Sequence, residues 1–288
     1  SPCWQLPCYA EATTRPRTSM KYSIIIPVLN QLHYTQQCVE SLLANGVKAE
    51  SILIIDNGSS DETPAWLAAN PQYASIRNVV NLGCGGAWTQ GALHWDSEWV
   101  VLLNNDIVMG HNAIEASIAR AEQLGVEVVS TALIEGELDY DLKSFSADYV
   151  QKMAGQQRAD FFHGVCFAVK REVFHRIGFL DTDRALFGRE DTEFLFRCQR
   201  NGVKMATVGE AVMHHFGSIT QKAMKLEAGV TEFGDHRYLY RKLGLSWWGR
   251  QAYKRIRRNR ERQWRAQELA ATGMTLHMDR RGGQWIYR

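Results

Sequence analysis

VVLLNNDIVM, Val100 to Met109, is the stretch from which the fold can be read. Four apolar residues promise a buried strand, and Asn104, Asn105 and Asp106 follow before the chain turns apolar again. A buried strand gains nothing from a polar tip unless something polar is met at that edge of the sheet. Two earlier runs repeat the pattern: YSIIIP (Tyr22–Pro27) leads to Asn30, and SILIID (Ser51–Asp56) ends in Asp56. Further strands are expected near Ser75–Val80, Glu98–Asn104 and Val126–Ala132. Helical spacing separates them at Tyr34–Ala44, from Asp61 and Pro64 to Leu67, after NLGCGGAWTQG, and over His111–Leu124. Near-continuously apolar strands alternating with helices predict an α/β fold, with a mainly parallel central sheet covered by helices on both faces. Ligands bind beyond the C-terminal ends of such strands. Asn30, Asp56 and Asp106 are therefore expected to point into one crevice.

The 288 residues suffice for one large domain or two small ones, and at 45% hydrophobic and 22% charged the composition is that of a soluble globular protein. No apolar run approaches the roughly 20 residues that span a bilayer. Cysteines at 3, 8, 38, 84, 166 and 198 are scattered, which fits a reduced, cytoplasmic chain better than a disulfide scaffold. Residues 1–19 lack any period and read as a leader or expression-derived extension. The net charge of +2 hides an asymmetry. Between Arg237 and Arg265 the chain has eleven Lys and Arg against Glu261 alone.

Later motifs carry the chemistry. Gly83, Gly85 and Gly86 precede a helix start as a phosphate-binding loop would, although the spacing is neither GxGxxG nor a P-loop, and a bare glycine turn reads equally well. Asp106 at a strand tip can hold a hard divalent cation that grips a diphosphate, against the alternative of a solvated turn. DFFHGVCFAVKR (Asp160–Arg171) alternates like a half-exposed strand. A helix is expected over Gly188–Gly202, with Glu190 and Asp191 at its front as a general base and its neighbour, or merely as complements to the helix dipole. Lys204–Val208 and Ala211–His215 read as short strands. At most one of His214 and His215 can face a pocket from the second. His163 and Cys166 read as structural.

In order, SIIIPVLN, ILIIDNGSSDET, NLGCGGAWTQG, VVLLNNDI, HGVCFAVKREVF, FGREDTEFLFR and HHFGS resemble the family 2 inverting glycosyltransferases of the GT-A fold, nearest their bacterial rhamnosyl- and hexosyltransferase branch. The resemblance spans roughly residues 21–220. It implies that Pro27, Asn30, Asp56, Asp61, Gly83, Gly86, Asn105 and Asp106 bind a nucleotide-sugar donor, UDP- or dTDP-linked, with Asp56 reading the base. It further implies Mn²⁺ or Mg²⁺ at Asp106 and His215, Asp191 as the base, and Gly164 and Glu190 on the acceptor side. Two positions depart from the family pattern. Asn104 stands where the first Asp of DxD is usual, and Trp88-Thr89 stands where Asn-Asn is common.

The expected organisation is thus a GT-A domain over 20–230 and a basic, Trp/Arg-rich helical tail over 231–288. The tail helix is expected from Ser246 to Leu269, with Trp248, Ala252, Ile256 and Trp264 as a narrow apolar stripe. It would lie on the cytoplasmic face of the plasma membrane near a saccharide acceptor, lipid-linked in this branch, or pack on a second subunit in a homodimer. Two other readings compete. A sugar-1-phosphate nucleotidylyltransferase would want a glycine-rich basic loop where PVLNQLHYTQQ stands. A nucleic-acid-binding protein would leave Asp56, Asp106 and Asp191 without a role, so no nucleic-acid partner is expected.

Overall fold

Three consecutive isoleucines, Ile24, Ile25 and Ile26, lie wholly buried in the first strand, which has a parallel neighbour on each side. The computed structural model describes residues 20–217, 219 and 236–288, so the leader at 1–19 and the boundary expected at 230/231 lie outside the described residues. The N-terminal elements are β1 (Met20–Val28), α1 (Leu32–Ala44), β2 (Ile52–Asp56), α2 (Thr63–Ala69), β3 (Ala74–Arg77), α3 (Gly83–His94) and β4 (Ser97–Leu103). Next come β5 (Ile107–Met109), α4 (Ala113–Leu124), β6 (Val128–Gly136), α5 (Leu142–Met153), β7 (Gln157–Ala159), β8 (Cys166–Lys170) and α6 (Arg171–Ile177). The chain continues with α7 (Glu190–Arg200), β9 (Met205–His215), α8 (His236–Lys242), α9 (Trp247–Thr272), β10 (His277–Arg281) and β11 (Gln284–Tyr287).

The strands form one sheet in the order β11-β10-β6-β8-β4-β1-β2-β3, with β9 beside β6 and pairing also with β5 and β7. The β3-β2-β1-β4 section is parallel throughout, while β8 runs antiparallel between β4 and β6, so the sheet is mixed. Alternation along β1 sends Ile24, Ile26 and Val28 to a core with α1 and α4, including Val39, Leu42 and Ile118. Ile25 meets the other face, with Ala87 and Trp88 of α3, Phe174 of α6 and Phe194 of α7. Burial on both faces explains why these strands are so uniformly apolar.

Three expectations need correction. The strand read over Asp160–Arg171 is confined to β8, and its residues are buried because β4 and β6 flank it. Lys204–Val208 and Ala211–His215 are one strand, β9, with a register shift opposite Thr131/Ala132. A helical tail is expected over 231–288, yet 277–281 and 284–287 form a hairpin in the central sheet, β10 lying parallel to β6.

The tail helix itself is tied down by charge. Arg158 of β7 donates to both carboxylate oxygens of Glu268 at 2.7 and 2.8 Å, and to the Arg288 carbonyl at 2.8 Å. Arg158 and Glu268 are 4% and 2% exposed. A buried charge left without its partner is far more costly than the intact pair is stabilising. Glu268→Ala is therefore expected to lower unfolding stability by about 3–5 kcal/mol, measured by denaturant titration. The Arg158→Met/Glu268→Leu double variant should recover most of that loss. A single variant within 1 kcal/mol of wild type would show that the tie is solvated.

Candidate active site

The β1–β4 ladder runs in register from Met20↔Ser97 to Ile25↔Leu102 and ends there. Pro27, one pleat further, has no N–H with which to extend it. Because β1 connects outward through α1 to β2 while β4 lies on its other side, this is also the point where the strand order reverses. The parting strands open a crevice lined by Pro27 and Val28, by Asn104, Asn105 and Asp106, and by the starts of α3 and α7. It encloses about 70 Å³, well below the roughly 300–1,000 Å³ of small-molecule pockets. Phe187 and Gly188 form part of its wall.

The expected convergence of Asn30, Asp56 and Asp106 on one crevice needs correction, because only Asp106 of the three lines it. Pro27, Gly83, Asn105, Asp106 and Glu190 share the crevice. The Asn105 side chain is spent within the fold, donating to Thr35 Oγ1 at 2.9 Å and so tying the strand tip to α1. Asn30 and Asp61 line a shallower depression beside it. There Asn30 Oδ1 accepts from the Ser60 N–H at 2.7 Å, and Asp61 accepts from Leu32 N–H at 3.2 Å and Thr63 N–H at 3.0 Å. These contacts clamp the β1–α1 and β2–α2 loops together and let Asn30 and Gln31 hold left-handed backbone, φ 53° and 59°. Asp56 is fully buried: Oδ1 accepts from Ser59 N–H at 2.8 Å, while Oδ2 makes no hydrogen bond and lies 3.5 Å from Arg77 Nε. Oδ2 thus keeps acceptor capacity that only the Arg77 ion pair engages. Gly86 packs on its own turn, where an added Cβ would lie 2.8 Å from Leu82 Cβ.

Asp106 is a buried anchor, 4% exposed, and not a solvated tip. Its Oδ1 lies 3.3 Å from His215 Nε2, and Oδ2 accepts from Ile219 N–H at 2.9 Å. Burial opposes its charge, but His215 and the backbone donor hold the carboxyl below its usual range. Burial would likewise depress His215, yet its hydrogen bonds to Asp106 and to Glu135 raise it to about 9. His214 points elsewhere, to Tyr140 and the Gly136 carbonyl, as adjacent strand residues must. His163 is structural: its Nε2 lies 2.7 Å from the Thr131 carbonyl, and burial pushes it down to about 3.

Glu135 is the residue that the sequence reading missed. It joins His215 Nδ1 at 3.1 Å to His277 Nε2 at 3.0 Å, extending the Asp106 contact to the C-terminal hairpin. The expected strand stops at Ala132, whereas β6 runs to Gly136 and carries Glu135 at its tip. Two sets of side chains suit a divalent cation. Asp106 and His215 place a carboxylate oxygen and imidazole Nε2 side by side, and a cation there would take the place of the Nε2 proton while Nδ1–H stays on Glu135, leaving other positions to a diphosphate and water. Glu135, His277 and Asp279 also bring ligand atoms within 4.8 Å of one another, but Arg288 bridges that cluster at 3.3 Å from Glu135 and 2.6 Å from Asp279.

The first turn of α7 separates two cavities. Glu190 opens toward the crevice, where Gly85 N–H lies 3.4 Å from its Oε1. Asp191, the next residue, opens instead into a cleft of about 640 Å³ bounded by Gly164, Phe161 and the inner face of α9. Glu190, expected on the acceptor side, thus stands on the crevice side. Each side chain packs on a glycine: an added Cβ at Gly85 would clash with the Asp181 carbonyl and lie 2.8 Å from the Glu190 Cγ methylene, and one at Gly164 would clash with the Asp191 carboxylate. Burial lifts Glu190 to about 7, helped by the neighbouring Asp191 charge, and burial also raises Asp191.

This architecture is that of the GT-A glycosyltransferases. The structure resembles a GalNAc-T7 bound to UDP, GalNAc and Mn²⁺ (TM-score 0.54, 17% identity, 70% of this chain and 44% of that one). It also resembles the mannosyltransferase PcManGT of Pyrobaculum calidifontis bound to GDP-Man and Mn²⁺ (TM-score 0.52, 19%, 70% and 59%). The chain belongs to glycosyl transferase family 2, whose model matches residues 23–178. Among curated relatives, an uncharacterized glycosyltransferase of Rickettsia typhi is 26% identical over 55% of this chain. The N-acetylglucosaminyl-diphospho-decaprenol L-rhamnosyltransferase of Mycobacterium tuberculosis is 26% identical over 57% of this chain and 66% of its own length. The succinoglycan biosynthesis protein ExoO of Rhizobium meliloti is 27% identical over 43% of this chain and 36% of its own. The chain spans 53% of the Rickettsia typhi protein.

The raised Glu190 pKa has a measurable consequence. A carboxyl that binds its proton more tightly when folded stabilises below its unfolded pKa of 4.5, and that contribution is lost as pH rises through about 7. Glu190→Gln should flatten this part of the stability–pH profile, read by thermal unfolding across pH 4–8. An unchanged slope would place the Glu190 carboxyl in water.

Proposed function

We propose that the protein is an inverting glycosyltransferase that moves a sugar from a UDP- or dTDP-linked donor to a saccharide hydroxyl in bacterial surface polysaccharide or lipopolysaccharide assembly. One observation carries this reading: consecutive residues of α7 face different rooms, Glu190 the strand-end crevice and Asp191 the larger cleft. A direct displacement needs that separation, with the leaving group on one side of the reacting carbon and the acceptor on the other. Succinoglycan and rhamnosyl-transfer relatives support the polysaccharide setting.

In this reading Asp56 Oδ2 turns from Arg77 to accept the imide N–H of the base, and the loops locked by Asn30 and Asp61 form the floor beneath the nucleoside. The small crevice requires Phe187 and Gly188 to give way as the donor enters. Asp106 and His215 would hold Mn²⁺ or Mg²⁺, which supplies positive charge against the departing diphosphate. Asp191 takes the proton from the acceptor hydroxyl as its oxygen bonds to the anomeric carbon. The bond from that carbon to the diphosphate oxygen breaks, the nucleoside diphosphate departs, and configuration inverts. Burial that raises the Asp191 pKa strengthens it as a base.

Among the described residues no helix is long and apolar enough to cross a membrane. Of the expected stripe on α9, Trp264 turns inward, its ring centroid 5.6 Å from that of Phe161. Trp248 and Ile256 stay 76% and 59% exposed, and Trp247 is 57% exposed. These three residues support peripheral attachment to the cytoplasmic membrane face.

Two variants test the chemistry. Asp191→Asn is expected to reduce turnover about 10²–10⁴-fold while donor affinity stays within a factor of about three. A matching loss of donor affinity would make Asp191 a binding residue. Asp106→Asn should abolish transfer and the Mn²⁺-dependent part of thermal stabilisation by UDP or dTDP. It should also cost stability of its own, since it removes the buried partner of His215. Near-normal turnover in Asp106→Asn would refute the role given to that strand tip.

A further inference from the structure

Helix α9 closes the far side of the Asp191 cleft and turns arginines toward it. Six arginines line the cleft against three carboxylates, Glu135, Asp191 and Glu261. Three of the six are already committed. Arg158 pairs with Glu268, Arg257 with Glu261 at 2.8 Å, and Arg288 with Glu135 and Asp279. The other three, Arg258, Arg262 and Arg265, have no carboxylate partner among the described residues. Their spacing of four and then three residues puts them on one helical stripe. A row of unneutralised guanidinium groups beside a catalytic carboxylate is not needed to stabilise the helix, because like charges at such spacing repel. The repulsion is relieved when an anion fills the cleft.

We propose that this row is a subsite for a phosphate group carried by the acceptor saccharide, which it anchors so that the hydroxyl to be glycosylated faces Asp191. The inference rests on the glycosyl-transfer reading for the role of Asp191, but the phosphate subsite can be measured without turnover. A guanidinium fork matches a phosphate with two parallel hydrogen bonds, and a row of three can follow a monophosphate or a diphosphate. Donor diphosphate is served elsewhere, at the crevice end where Asp106 lies, with the first turn of α7 between the two. At about 640 Å³ the cleft has room for a sugar residue together with its phosphate. The substrate class assigned here is therefore a saccharide phosphate, whether free in water or displayed as a lipid diphosphate headgroup.

Calorimetry on the full chain separates the possibilities. The probes are N-acetylglucosamine 1-phosphate, its neutral methyl glycoside, a prenyl-diphosphate-linked N-acetylglucosamine in neutral micelles, and phosphatidylglycerol vesicles. The wild type should bind the sugar phosphate at least about tenfold more tightly than the methyl glycoside. Arg258→Gln/Arg262→Gln/Arg265→Gln should lose that preference without a change in thermal midpoint, since all three side chains are exposed. Asp106→Asn should keep it, because the phosphate does not sit in the crevice. Tighter binding of the micellar probe than of the soluble phosphate assigns the site to a lipid-borne acceptor, and equal binding assigns it to phosphate from either source. Equal affinity for charged and neutral sugars, or a preference that survives the triple substitution, would overturn the proposal. So would a triple variant that loses only vesicle binding, which would make the row a membrane contact. A phosphate preference that is intact in a protein with no donor-dependent turnover would support the subsite and overturn the transfer reading instead.

Discussion

Where β1 and β4 part, the architecture acquires its function. Their ladder ends at Ile25 and Leu102, and Pro27 has no proton with which to carry it further. Beyond that point β1 stays paired with β2 alone while the tip of β4 finds other partners, and the gap between them is the crevice. Asn104 N–H goes to the Val165 carbonyl at 2.9 Å, and Asn57 N–H returns to the Val28 carbonyl at 2.9 Å. Asn105 reaches across to α1. The polar tip on a buried strand is thus part of the sheet's own hydrogen-bond accounting, and the ligand site occupies the space left over.

The same economy extends away from the crevice. Asp106, His215, Glu135 and His277 form a line of alternating acid and imidazole from the end of β4 to the C-terminal hairpin. Each member compensates the burial of the next, which is why Asp106 stays ionised and His215 holds its proton in a nearly dry site. The C-terminal segment contributes at both ends of this arrangement. Its strand β10 takes the place beside β6 that β8 vacates after Ser130, and its helix walls the cleft.

How much of this is legible in the sequence depends on where the signal resides. Runs such as SIIIP and SILIID announce themselves because both faces of the strand are buried, and turn residues mark their ends cleanly. Asp56, Asp106 and Asp191 stand out for the same reason, each breaking an otherwise simple pattern. What escapes is anything set by a partner distant in the chain. Gly209 and Glu210 look like a break between two strands, but β6 absorbs the irregularity as a register shift and β9 continues. The hairpin carries a local cue, Gly282-Gly283 with φ 55° and 73° between HMDRR and QWIY, but the arginine-rich helix before it dominates the reading. Glu135 has no cue at all, because only β9 and β10 give it its neighbours.

Helix α7 is, finally, locked in rotational phase. Successive residues on a helix are about 100° apart, and here two neighbouring carboxylates use that angle to look in different directions. Gly85 on one flank and Gly164 on the other come so close that a Cβ would strike the Asp181 carbonyl and the Glu190 side chain at the first and the Asp191 carboxylate at the second. The loop entering α7 can vary in composition but not in a way that turns the helix by a single position. Such a turn would bring Asp191 toward the crevice and leave Thr192, already at the cleft wall, in the place Asp191 now holds. Length changes between Gly178 and Gly188 should therefore be tolerated only when they bulge outward and leave the helix start where it is.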